Sequence, residues 1–358
     1  MQFWQSTGDL PKYFARAAAR YDRIPGHMYA IEVEGLKKVF GNVEAVAGID
    51  LIVSEGEMFG FLGPNGAGKS TTTKILTTLL RPTAGTARVA GFDIVTHPHE
   101  VRLSIGVALQ EAGLDTLATG REMLVLLARL QGLRGGQPHK RAAAMLDLVG
   151  LSDAADRRLG TYSGGMRRRL DLAGALIHGP KLLFLDEPTT GLDPASRHAI
   201  WEEVARLNRE EGITVFLTTQ YLEEADRLAE RVAIIDHGRI VALGSPTELK
   251  SEIAADILTL AVPEESMDVA KEALTRLPGL KEIQSDTKEL TLFVTGGSSA
   301  IASAVRLLHE VDVTVGSVKL SSPTLDEVFL RATGSRLEGA EQQQAETDGK
   351  KRGRKEAS

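Results

Sequence analysis

The chain has 358 residues, 42% of them hydrophobic and 25% charged, enough to bury a sizeable core and to divide into two or three domains. It contains no cysteine, which excludes disulfides, thiolate metal sites and cysteine nucleophiles and suits a reducing compartment. The formal net charge of −6 argues against nucleic acid as a partner. No run approaches the roughly 18 apolar residues of a membrane-spanning helix. A soluble protein is expected, with any membrane role exercised through a partner.

Residues 1–28 read as an N-terminal extension that mixes Phe3, Trp4, Tyr13 and Phe14 with Arg16, Arg20 and Arg23. They lack the apolar core of a signal peptide; an amphipathic surface helix and a disordered stretch both fit. From Tyr29 to about Val53 the alternation in Ala30-Ile-Glu-Val-Glu34 and Ile49-Asp-Leu-Ile-Val53 predicts antiparallel strands. The short apolar strand Met58–Leu62 then leads into Gly63-Pro64-Asn65-Gly66-Ala67-Gly68-Lys69-Ser70-Thr71, which fits the pattern G-x-x-x-x-G-K-[ST]. Its glycines let successive N–H groups point into one concavity that suits phosphate oxygens. Lys69 can reach β- and γ-phosphates, and the Ser70 hydroxyl can ligate Mg²⁺. A helix predicted over Thr71–Leu80, stopped by Arg81-Pro82, aims its N-terminus at the same anion. The stretch reads as a nucleoside triphosphate site.

Farther along, Ile105–Leu109 reads as a strand, and Ala118–Leu133 and Lys140–Val149 as helices of an insertion outside the sheet. The runs Leu182–Leu185, Thr214–Leu217 and Val232–Ile235 are continuously apolar, as buried parallel strands are. Asp186 emerges at the carboxyl end of the first of these, where ligands of open α/β sheets gather, and a carboxylate there can hold Mg²⁺. The adjacent Glu187 can polarise an attacking water. In Tyr162-Ser163-Gly164-Gly165-Met166-Arg167, Ser163 is a good helix N-cap, and the following helix presents free N–H groups to an anion.

Composition shifts after Gly244-Ser-Pro246. Residues 255–334 read as strand, helix, two strands, helix, strand and helix, a small α+β domain of split β-α-β type with its own core. The helices fall at Ser266–Leu277, Ser299–His309 and Thr324–Ala332, and the last strand at Val313–Leu320. Residues 335–358 form a polar tail with the basic run Lys350-Lys-Arg-Gly-Arg-Lys355. A solvated, disordered tail is the plain reading, and contact with anionic lipid the sharper one.

Taken in order, the phosphate loop, the Ser163–Arg167 motif and the Asp186-Glu187 strand resemble the ATP-binding cassette (ABC) ATPases over residues 29–250. Other positions fit the resemblance. Phe40 resembles the aromatic that stacks on adenine, and Gln110 the glutamine that senses the γ-phosphate and Mg²⁺. Gly191-Leu192-Asp193 resembles the loop that crosses between subunits, and Thr218–Asp226 the switch segment. Most of the family has histidine where this chain has Gln220; glutamine can donate a hydrogen bond to phosphate but cannot carry a proton near neutral pH. The resemblance implies a RecA-like core with antiparallel β and helical subdomains. It also implies two copies sandwiching ATP, with Lys69, Ser70, Gln110, Asp186, Glu187 and Gln220 of one facing Ser163, Gly165 and Asp193 of the other.

The motif Tyr162–Ala173, the switch segment and the ending Pro323–Gly334 are more narrowly similar to the daunorubicin-resistance branch of bacterial drug exporters. That likeness implies an ATPase subunit on the cytoplasmic face of the cell membrane, powering a separate permease that exports a drug, lipid or secondary metabolite. The competing classes are an importer subunit and a soluble regulatory ATPase. The cassette by itself does not set direction; the C-terminal domain and the tail of the motif favour export.

Overall fold

In the computed structural model, which describes residues 29–109, 115–253, 256–285, 289–295, 297–321 and 324–333, strand character follows hydrophobic patterning closely. Contacts divide the chain between Ser245 and Pro246 into two units. The strands of the first are β1 (Tyr29–Phe40), β2 (Val43–Ser54), β3 (Met58–Leu62), β4 (Ala84–Val89), β5 (Phe92–Asp93), β6 (Ile105–Ala108), β7 (Leu182–Asp186), β8 (Thr214–Thr219), β9 (Arg231–Asp236) and β10 (Arg239–Gly244). Its helices are α1 (Lys69–Leu76), α2 (Pro98–Ser104), α3 (Gly120–Leu130), α4 (Gln137–Leu148), α5 (Gly164–Ala175), α6 (Pro194–Glu211) and α7 (Leu222–Leu228).

The half-polar β1 and β2 pair antiparallel in a sheet of order β2-β1-β4-β5. The continuously apolar β3, β7 and β8 are buried along their whole lengths and lie inside a sheet of order β10-β9-β3-β8-β7-β6, where only β10 runs antiparallel. Successive residues of a strand point to opposite faces, so each inner strand feeds two cores. Phe59, Phe61, Phe184 and Phe216 face the antiparallel sheet and α1, with ring centroids 5.4–5.8 Å apart. Met58, Leu183, Leu185, Val215 and Leu217 face the opposite core, which takes in Leu124, Leu146, Leu170 and Ile200 of the helices. Helices α3 and α4 pack on each other, as the expected insertion outside the sheet; α3 opens on a capping box between Thr119 and Glu122.

Helix α1 is shorter than the predicted Thr71–Leu80. It begins at Lys69 and ends at Leu76. Thr78 takes a φ of +64°, and the N–H groups of Leu79 and Leu80 both fold back to the Lys74 carbonyl. The chain thus leaves the helix before the Arg81-Pro82 stop is reached.

The second unit comprises α8 (Pro246–Ile253), β11 (Asp256–Ala261), α9 (Met267–Leu274), β12 (Leu280–Ser285), β13 (Glu289–Val294), α10 (Gly297–His309), β14 (Ser317–Ser321) and α11 (Leu325–Thr333). Its antiparallel sheet has the order β12-β13-β11-β14, the split β-α-β arrangement expected from the sequence. Leu258, Leu260, Leu290 and Leu292 face Ala270, Leu274, Ala304 and Leu308 in its core. The last strand starts at Ser317 rather than Val313, because Val313 turns into that core after Asp312 adopts a φ of +56°. Residues 1–28 and 335–358, with the extension and the polar tail expected there, lie outside the described residues, as does Gln110.

Candidate functional site

Strand register sets the site. Leu62 pairs with Thr219 and Asp186 with Thr218, so the residues leaving β3, β7 and β8 emerge at one end of the sheet. There Gly63, Glu187 and Gln220 follow their strands directly. The loop from Gly63 to Gly68 closes back on α1, whose N-cap Gly68 has a φ of +111° and whose missing Cβ would lie 2.5 Å from the Ala45 carbonyl oxygen. Only glycine fits there.

Lys69 is buried at the centre. Its ammonium donates to the carbonyls of Gly63 at 2.8 Å and Pro64 at 3.2 Å, and lies 3.2 Å from Glu187 Oε1. Glu187 has a φ of +49°; its N–H is held by the Thr218 carbonyl at 3.0 Å, and its Oε2 accepts from Thr190 Oγ1 at 3.2 Å. Asp186 accepts from the Thr218 hydroxyl and, at 3.3 Å, from the Ser70 hydroxyl, both on Oδ1. A hydroxyl and a carboxylate side by side are hard oxygen donors of the kind Mg²⁺ takes. Among the described residues no three His, Asp or Glu side chains gather to hold a metal by themselves. Such a pair fits an ion that keeps its other positions for water and substrate phosphates.

Phe40 ends β1 and is 47% exposed, with the Lys38 ammonium 5.0 Å from its ring centroid and anchored to the Arg81 carbonyl. Gln220 is half-buried between β8 and α7. Ser163 caps α5 as anticipated, accepting from Met166 N at 3.2 Å, and Arg167 reaches the Gly160 carbonyl. Asp193 caps α6 by accepting from Ser196 N and Oγ at 3.0 and 2.6 Å; the Ser196 hydroxyl chiefly holds its carboxyl below the usual range. The two caps meet. A Cβ on Gly165 would lie 2.7 Å from Ser196 Oγ, so α5 can approach α6 this closely only with glycine at that place.

Two residues lie within segments that the sequence pointed to but were not singled out there. Glu224, fully buried, accepts from Trp201 Nε1 at 2.7 Å and Thr189 Oγ1 at 3.1 Å, and burial raises its pKa. It ties α7 to α6 and to Thr189, which follows β7. Arg168 of α5 bonds to Asp171 and to the backbone at the ends of β6 and β7. A carboxylate at Asp171, among Leu170, Leu172 and Ala173, was the available signal, because a charge on an apolar stretch needs a partner.

This arrangement has known counterparts. Residues 46–190 match the family model described as ABC transporter, and residues 244–333 that of the ATP-binding protein DrrA1-3-like, C-terminal domain. The daunorubicin/doxorubicin resistance ATP-binding protein DrrA of Streptomyces peucetius is 48% identical over 85% of this chain and 92% of its own. The chain belongs to the ABC transporter family. A Nod factor export ATP-binding protein I of Ralstonia nicotianae is 38% identical to this ABC ATPase over 89% of the chain and 99% of its own. A solved dimeric ATP-binding cassette in a post-hydrolysis state, bound to ADP and Pi, matches with a TM-score of 0.56 at 26% identity, covering 60% of this chain and 98% of that one. ATP hydrolysis coupled to transport is the activity of the family. Among the described residues no helix is long and apolar enough to cross a membrane.

Proposed function

We propose that this ABC ATPase hydrolyses MgATP in a sandwich of two copies. The cycle would drive a separate permease, from the cytoplasmic face of the membrane, to export a drug, lipid or secondary metabolite. The observation that carries the reading is the buried group of Lys69, Asp186 and Glu187 at the ends of adjacent strands, with the half-buried Ser70 hydroxyl on Asp186. Export is supported by the relatives named for resistance and export and by the matched C-terminal domain.

In this reading the loop from Gly63 to Thr71 and the N-terminus of α1 bind the phosphates through backbone N–H groups and Lys69. Phe40 takes the adenine ring on the face that Lys38 leaves open. Ser70 and Asp186, with Gln110, would hold Mg²⁺, whose charge would offset that of the β- and γ-phosphates. Glu187 accepts a proton as the water oxygen bonds to the γ-phosphorus, and the bond from that phosphorus to the bridging oxygen breaks, leaving ADP. Gln220 donates its amide to the γ-phosphate and orients the water. Ser163–Arg167 and Gly191–Asp193 of the partner close the site, so that ATP joins two copies and its hydrolysis parts them.

Glu187→Gln keeps the shape of the site and removes the proton acceptor. Turnover should fall by about 100-fold or more with the affinity for ATP retained, as loss of a general base predicts. Glu187→Gln turnover at the wild-type rate would refute the assignment.

A further inference from the structure

Glu187 is aimed by its backbone, and that backbone is gripped from α5. The Arg168 guanidinium donates from Nη2 to the carbonyl of Asp186 at 2.9 Å and from Nε to the carbonyl of Pro188 at 2.8 Å, one on each side of Glu187. Its Nη1 donates to the Leu109 carbonyl at 2.6 Å, immediately before Gln110, and to Asp171 Oδ2 at 3.1 Å. The side chains of Arg168 and Asp171 are only 12% and 17% exposed. A planar fork with five donors can serve three carbonyls from two strand ends together with a carboxylate; a lysine ammonium cannot match those directions.

We propose that Arg168 is a positioning residue for hydrolysis: it holds Asp186, Glu187 and Pro188 so that the Glu187 carboxylate meets the attacking water. This rests on the reading of Glu187 as the proton acceptor. The backbone at Glu187 is in the left-handed region that only a firmly built surround retains for a non-glycine residue. The Thr218 carbonyl fixes the Glu187 N–H, and Arg168 fixes the carbonyls on both sides. Arg168 lies on the helix that Ser163 caps, so the element offered to a partner's ATP also aims the base of its own chain. Asp171 in turn orients the guanidinium. Arg167 and Arg169, its neighbours, bond to Gly160 and Val149 and do not reach β7.

The test is a double-mutant cycle in the full chain with Arg168→Met, Arg168→Lys and Glu187→Gln, reading ATPase kinetics, binding of a fluorescent ATP analogue and thermal stability. Arg168→Met should lower kcat by about 10- to 100-fold, the cost of a displacement near 1 Å at a reacting group. KM and the analogue's affinity should stay within about twofold, and Arg168→Lys should recover part of the rate. In the Glu187→Gln background, Arg168→Met should cost nothing further, since its effect runs through the carboxylate already removed. An equal loss in both backgrounds, a loss carried by KM, or an unchanged kcat would overturn the proposal. If Arg168→Met does not fold, Arg168→Lys carries the same comparison. Wild-type turnover by Glu187→Gln alone would instead defeat the reading of Glu187, whatever Arg168 does.

Discussion

Lys69 and Glu187 compensate one another where each side chain is 4–5% exposed, so neither charge is easily left alone. Removing one partner of a buried pair costs about 3–5 kcal/mol, mostly through the charge left behind. Lys69→Met should therefore destabilise the chain by about that amount, and adding Glu187→Gln should return much of it; chemical denaturation measures both. Gln220 invites a milder test. With proton acceptance assigned to Glu187, Gln220→His should keep nucleotide affinity and most of the ATPase rate, and a large loss of rate with binding intact would give Gln220 a larger share. The local geometry of Gly63–Thr71 and the Ser163 cap was legible in the sequence because glycines and a capping serine state a backbone requirement, and the place of Asp186 because an apolar run ends on it. Of the adjacent Glu223 and Glu224, nothing in the sequence shows which turns inward; Trp201 and Thr189 decide it from another helix and loop. Likewise, which of the arginines at 167–169 reaches β7 depends on what the neighbouring strands present.

At the level of elements, continuous apolar runs and strict alternation correctly separated the parallel inner strands from the antiparallel β1 and β2. Helix ends were less legible, since the early exit of α1 turns on one residue, Thr78, taking a positive φ. Ion pairs between elements were not legible at all. Glu57, just before β3, receives Arg231 of β9 at 2.6 and 3.2 Å, and the same guanidinium binds the Ile52 carbonyl at the end of β2. Glu57→Ala should cost about 3–5 kcal/mol by removing the carboxylate that balances this largely buried guanidinium, a loss that chemical denaturation measures. On α5, burial pushes the Asp171 carboxyl up to about 6 against the opposing pull of Arg168. The folded protein thus holds a proton to about pH 6 that the unfolded chain releases near 3.8. Stability from this group is full below 3.8 and is lost as pH rises toward 6; about 3 kcal/mol is at stake. Between pH 4 and 6, wild type should lose stability relative to Asp171→Asn, and parallel melting curves for the two would contradict the assignment.

Across the whole molecule, the residues proposed to hold phosphate and to accept the proton lie in one unit, while the second has a separate core and a match to the DrrA-like C-terminal domain. The β-α-β-β-α-β order of that second unit was readable because β13, α9 and α10 bury clear apolar faces, whereas β12 and β14 bury no residue fully and the sheet order β12-β13-β11-β14 was read only from the structure. Assembly was not readable from spacing. The Ser163 motif and the phosphate loop are carried on one chain, and the sandwich reading has them meet ATP from opposite copies, in keeping with the dimeric form of a solved relative. Light scattering of Glu187→Gln with saturating MgATP tests this most directly. A stable dimer of the full chain that retains ATP is expected, returning to monomer when Ser163→Arg is added. A Glu187→Gln chain that binds MgATP yet stays monomeric would contradict it.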